Sequence, residues 1–127
     1  MFKDTKAFSG FSVDDIDAAR TFYGETLGLQ VEDNPMGFLN IRLATGGVIL
    51  VYSKDDHVPA TYTILNFPVE SVDAAVDELN SRGVVTKIYE GDFTDERGIS
   101  RPSKPEWGPV ICWFTDPAGN VLSVLED

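Results

Sequence analysis

Histidine and cysteine occur once each, as His57 and Cys112, in a chain of 127 residues. A single cysteine excludes a disulfide framework within the chain and fits a reducing compartment. With no histidine near it in sequence, Cys112 has no obvious base and reads as a buried structural thiol. A single imidazole leaves no Ser-His-Asp set except through His57. That residue sits in Lys54-Asp55-Asp56-His57-Val58-Pro59, a charged, proline-bearing stretch that reads as a linker, so His57 is expected to be solvated. No apolar run approaches the roughly 20 residues a membrane helix needs, and Met1 to Lys6 lacks the apolar stretch of a secretory signal; a cytoplasmic protein is the expectation. Basic residues are also scarce, 10 against 21 acidic, for a net charge of −11. Nucleic-acid binding depends on neutralising phosphates, and anionic membranes attract basic segments, so neither partner is expected. A cationic small molecule is compatible with this balance, as is acidity that serves only solvation. No phosphate loop is present, because Gly46-Gly47 is not followed by a helix.

What the chain does have is apolar content and repetition. Hydrophobic residues make up 43%, with eight Phe, four Tyr and two Trp, enough for one domain's core across 1–127. Val13-Asp14-Asp15-Ile16-Asp17-Ala18-Ala19 is echoed 56 residues later by Val69-Glu70-Ser71-Val72-Asp73-Ala74-Ala75. Each copy follows an apolar-rich stretch and runs into an amphipathic segment that stops at a glycine, Gly28 or Gly83. Ile16, Ala19, Tyr23 and Leu27 fall at helical spacing, as do Val72, Ala75, Val76 and Leu79. Asp14 or Asp15, and Ser71, are the expected N-caps, with the glycines as stops. Three strands should follow each helix. In the first copy these are Gln30 to Asp33, Phe38 to Leu43 and Val48 to Tyr52. In the second they are Val84 to Glu90, with a further short strand near Ile99, then Val110 to Phe114 and Val121 to Leu125. Module one therefore spans about 6–52, a linker 53–60, and module two about 61–127. The second copy carries an insertion around Gly91 to Glu106, a length of loop that is usually functional or mobile.

At this point the residues carry a resemblance. Val13 through Phe22-Tyr23, with Leu27-Gly28-Leu29, looks like the opening of vicinal-oxygen-chelate proteins, the glyoxalase/bleomycin-resistance/extradiol dioxygenase superfamily. Trp107-Gly108 and Phe114-Thr115-Asp116-Pro117-Ala118-Gly119-Asn120-Val121 resemble that family's closing strand and turn. The similarity runs from about Phe8 to Leu125. It implies an α+β fold of two tandem βαβββ modules, whose mostly antiparallel sheets curl into a cup with the helices outside. It also implies a homodimer, the cup being completed within a chain or across the two-fold axis. The family holds metal-dependent lyases and dioxygenases as well as metal-free antibiotic-binding proteins, so the fold supplies a cavity without its chemistry.

The enzymes of that family hold a divalent metal from the first and last strands of each module. The resemblance puts those four positions at Phe8, Leu50, Ile64 and Ser123. Three are hydrocarbons and the fourth is a neutral hydroxyl, a poor ligand by itself. No metal, no cofactor and no catalytic residue is therefore expected, and binding is favoured over catalysis. A metal-dependent, glyoxalase-like lyase or dioxygenase with an atypical site is the alternative, and an interaction module that uses the fold without a ligand is a third reading.

Strand alternation, with its parity set by those four positions, names the lining of the cup. Phe8, Phe38, Leu50, Tyr52, Tyr62, Ile64 and Trp113 form apolar and aromatic walls, and Asn40, Arg42, Asn66 and Ser123 are polar points among them. Such a lining suits an organic, often planar ligand. Phe11, Val13, Ile41, Leu43, Cys112 and Phe114 should face the helices instead. The insertion reads either as a lid, with Trp107 closing on an aromatic group and Arg97, Arg101 and Lys104 meeting an anionic one, or as a solvated hairpin of mixed charge.

Overall fold

The computed structural model describes all residues from Met1 to Asp127, and the chain divides into two compact units, Met1–Pro59 and Ala60–Asp127. In the first, β1 (Ser9–Val13) leads through α1 (Ile16–Thr21) to β2 (Gln30–Asp33), β3 (Leu39–Arg42) and β4 (Val48–Ser53). These strands form one sheet in the order β1-β4-β3-β2. β1 runs parallel to β4, and the other pairs are antiparallel. In the second unit, β5 (Thr63–Val69), α2 (Val72–Ser81), β6 (Ile99–Ser100), β7 (Ile111–Thr115) and β8 (Val121–Glu126) repeat the pattern in the order β5-β8-β7-β6. The repeat in the sequence is thus a repeat of topology, two α+β units each with the βαβββ arrangement.

Capping chemistry starts both helices where the sequence puts it. The Asp15 carboxylate accepts from the N–H groups of Asp17 and Ala18, and the Ser71 hydroxyl from that of Ala74. Gly28 and Gly83, at φ 72° and 83°, take the left-handed conformation past the helical segments. The first helix departs from expectation, for it widens into a π-helical turn over Phe22–Thr26. Phe22, Tyr23 and Gly24 are weak helix formers, so tertiary packing decides this turn. Tyr23 is fully buried there, its ring 5.6 Å from that of Phe11 and 5.1 Å from that of Phe22.

In each unit the core lies between the helix and one sheet face. Val13, Leu39, Ile41 and Val51 are buried with Ala19 and Tyr23 in the first; Cys112, Phe114, Leu122 and Val124 with Val72 and Val76 in the second. Burial of each large aliphatic side chain is worth about 1.5–3 kcal/mol. The Asp116 turn before β8 is built from within. The buried Asp116 carboxylate accepts from the N–H groups of Ala118 (3.0 Å) and Asn120 (2.8 Å) and from the Asn120 amide (3.1 Å). Asn120 Oδ1 in turn accepts from the Ala60 N–H at 3.1 Å.

The second unit corrects the sequence reading in two places. Val84 to Glu90 forms no strand. The segment alternates as a strand does, Val84 and Thr86 in, Val85 out, but it packs against the loop that follows. The Thr86 hydroxyl donates to the Arg97 carbonyl at 2.9 Å. A Cβ at Gly98 would lie 2.0 Å from the Thr86 carbonyl oxygen. The added length is also not confined to 91–106. Most of it separates α2 from β6, over residues 82–98, and a smaller part separates β6 from β7, over 101–110.

Candidate functional site

In the first unit, cross-strand register sorts the side chains. Phe11, Val13, Leu39, Ile41, Ile49 and Val51 share the face that meets α1. Gly10, Ser12, Asn40, Arg42, Val48, Leu50 and Tyr52 share the other. The alternation read from the sequence agrees with this register. Phe38 and Tyr52 meet edge to face on the open side, their ring centroids 6.2 Å apart. Phe8 precedes β1 and is 68% exposed. A groove of about 490 Å³ opens here, with Phe8, Met36, Val48 and Leu50 as apolar walls and Lys6 and Asn40 as polar lining. That volume falls in the range of small-molecule sites.

Two side chains of this face are already engaged. Arg42 Nε donates to Glu32 Oε1 at 2.9 Å, and this bond holds the Glu32 carboxyl below the usual carboxylate range. Ser12 Oγ lies 2.7 Å from His57 Nδ1. His57 is therefore not the solvated linker residue expected. The chain after β4 folds back, its His57 N–H on the Lys54 carbonyl at 3.2 Å, and sets the half-buried ring against β1.

In the second unit, Asn66, Ser123 and Trp113 stand in one row across β5, β8 and β7. The fully buried Ser123 hydroxyl donates to Asn66 Oδ1 at 2.6 Å. Trp113 packs edge to face on Tyr89 at 5.4 Å and Phe93 at 6.2 Å, and these two rings are 5.8 Å apart. The long connection after α2 thus lays two aromatics on the open face of the second sheet. Neither was singled out in the sequence, because a strand over Val84 to Glu90 would have carried Tyr89 elsewhere. The spacing of Tyr89 and Phe93 within a charged loop was the available signal.

Ile64 and Tyr62 do not follow the alternation. Thr63 pairs with Val121 and Leu65 with Leu122, so Ile64 is an extra residue with no partner on β8. Such a bulge breaks the period of two. It gives the Ser123 face to Thr63, and Tyr62 stands 71% exposed beyond it.

The lid reading needs correction as well. Arg97 donates to the carboxylates of Asp73 and Asp77, and Arg101 to Asp73 at 2.6 Å and Asp95 at 3.3 Å. These cations pin the insertion to α2 and are committed there. The Arg101 hydrogen bond holds Asp73 below the ordinary carboxylate range. For Asp95, burial works upward, yet the N–H groups of Ile99 and Arg97 and the Arg101 guanidinium leave it lowered. Trp107, on a short 3-10 turn, is 63% exposed with Lys104 Nζ 5.0 Å from its ring centre.

The donor set does not fit a divalent cation. Of the four positions the resemblance implies, Phe8, Leu50 and Ile64 offer no lone pair, and the buried, neutral Ser123 hydroxyl is a poor ligand by itself. Nowhere do three or more His, Cys, Asp or Glu side chains come together in a way that would hold a metal ion. Cys112 is no better placed for chemistry. It is fully buried, its thiol 3.7 Å from the Thr86 carbonyl, and burial pushes its pKa up to about 11.

Residues 8–124 match the model of the Glyoxalase/Bleomycin resistance protein/Dioxygenase superfamily. A comparison with curated proteins found no match. Among solved structures, a member of that superfamily from Sphaerobacter thermophilus is 26% identical, with a TM-score of 0.70 over 95% of this chain and 96% of its own. A putative glyoxalase family protein from Bacillus anthracis is 20% identical, with a TM-score of 0.67 over 100% and 99%. A bleomycin-binding protein complexed with bleomycin is 19% identical, with a TM-score of 0.65 over 95% and 97%. At such identities the last two speak for the fold alone. No helix is long and apolar enough to cross a membrane.

Proposed function

Because the chain belongs to the glyoxalase/bleomycin resistance protein/dioxygenase superfamily, we propose that it is a metal-free small-molecule-binding protein that sequesters an organic ligand, an antibiotic or an aromatic metabolite, against the open faces of its sheets. One observation carries the reading. Phe8 and Leu50, two of the positions to which the resemblance assigns metal ligands, are hydrocarbons that line an apolar groove. Phe38 with Tyr52, and Trp113 with Tyr89 and Phe93, supply aromatic contact surface on the same faces. The fold shared with a bleomycin-binding protein supports the ligand class in kind. In the first unit Asn40, beside the Arg42–Glu32 pair, offers polar contact to a ligand; in the second Asn66 does so, and the exposed Trp107 offers a further aromatic surface. A homodimer in the cytoplasm is part of the same proposal; net acidity supports the exclusion of nucleic-acid and membrane partners.

A thermal-shift screen of cationic antibiotics, aromatic metabolites and divalent metals tests it. A ligand present at a hundred times its Kd stabilises the native state by about 2.7 kcal/mol, a readily measured rise in Tm. The expected hits are organic molecules. A rise with Ni²⁺, Zn²⁺, Mn²⁺ or Fe²⁺, together with turnover, would sink the proposal in favour of a metal-dependent enzyme.

A further inference from the structure

The one charged residue that lines the groove of the first unit is opposite in sign to the net charge of the whole chain. The groove's walls are Phe8, Met36, Val48 and Leu50, its amides are Asn40 and Asn34, the latter accepting from the Met36 and Phe38 N–H groups, and its one charged residue is Lys6. No carboxylate takes part in the lining. Glu32, across from Asn40 on the neighbouring strand, is held by Arg42 at 2.9 Å. Lys6 makes no ion pair, and the Asn40 amide is likewise uncommitted, whereas Lys54, Arg20 and Arg82 are paired with acids at the surface. The charge within the groove's lining is therefore positive, against a net charge of −11 for the whole chain.

From this juxtaposition we infer that the groove takes an apolar, ring-bearing monoanion, a carboxylate or its equivalent. The apolar body lies along Phe8, Val48 and Leu50, and the anionic end meets the Lys6 ammonium beside the Asn40 amide. Lys6 is thereby a specificity-determining residue. The inference rests on the proposed ligand-binding function and narrows its ligand class, because bulk acidity alone points to cations. An ammonium-bearing molecule of the same shape would set its charge against Lys6 and is disfavoured.

Three probes of matched size separate these ideas: naphthoate, naphthamide and naphthylmethylammonium, each titrated while the backbone amide NMR signals of Gly46 and Gly47, which also line the groove, are followed. Naphthoate is expected to bind tightest and to shift those two signals. Lys6→Ala should weaken naphthoate about tenfold, as loss of a charge-assisted hydrogen bond does. It should leave naphthamide within about twofold, and Lys6→Arg should restore naphthoate binding. Lys3→Ala, outside the groove, is the control for a general charge effect, and an equal loss there overturns the assignment. Equal or tighter binding of the amide or the ammonium overturns the charge preference and leaves the proposed function standing. No shift with any of the three removes the groove as a site, and the inference with it; the proposed function then stands or falls on its own ligand screen.

Discussion

Single side chains and single glycines set several of the features on which this account depends. Gly37 and Gly98 have nearly the same backbone angle, φ 82° and 83°, but nothing lies within 4 Å of a Cβ built at Gly37, whereas one at Gly98 would meet the Thr86 carbonyl at 2.0 Å. Alanine at Gly37 should cost about 1 kcal/mol for the left-handed conformation alone. Alanine at Gly98 should cost about 2 kcal/mol more, because backbone must move. Urea unfolding midpoints measure the difference, and equal losses would mean that the two segments are not in contact. Cys112 allows a second check. With its thiol pushed up to about 11, it should resist alkylation in the native protein at about pH 8 and react on unfolding. The sign of the linkage follows. The unfolded thiol ionises near 9 and the folded one near 11, so this group's contribution is intact below that window and is lost as pH rises through it. Much at this scale was legible in the sequence: the caps at Asp15 and Ser71, the stops at Gly28 and Gly83, and the inward Cys112 all follow from local chemistry. His57 was not, because its partner Ser12 is 45 residues away, and no local pattern reports such a contact.

Elements show where periodicity suffices and where it fails. Alternation assigned both faces of β1, β3 and β4, since each has one buried side and no bulge. It failed on β5, where the extra residue Ile64 breaks the period, and on Val84 to Glu90, whose pattern is that of a strand but which joins neither sheet and packs on the following loop. The ion pairs that dock the insertion on α2 were invisible for a related reason: Arg97 and Arg101 reach Asp73 over 24 and 28 residues. They also make a prediction. Asp73→Ala should raise amide hydrogen exchange over residues 95–101 while leaving β7 and β8 protected. Because Arg101 holds the Asp73 pKa down, this docking is complete above the unfolded value, near 4, and weakens as pH falls through the lowered folded value. Unchanged exchange in the variant would show that the loop is secured without Asp73, by the Arg97–Asp77 pair and by Thr86 and Lys87 through the Arg97 and Asp95 carbonyls at 2.9 and 2.8 Å.

For the whole molecule the claim is that a fold shared with metal enzymes is used here for binding. The proposal rests on hydrocarbon at three of the four positions that the resemblance assigns to metal ligands, Phe8, Leu50 and Ile64. The proposed homodimer should appear as a two-chain species by size-exclusion chromatography with light scattering, and a monomer at every concentration would contradict it. The most direct test of the central claim uses Trp113 as its reporter. The chain has two tryptophans, so Trp107→Phe leaves Trp113, beside Tyr89 and Phe93, as the sole indole. Its fluorescence should change saturably with a ligand from the thermal-shift screen, with the same Kd in the presence of excess chelator as in its absence. A response that vanishes with chelator and returns with one equivalent of a divalent metal would contradict the account.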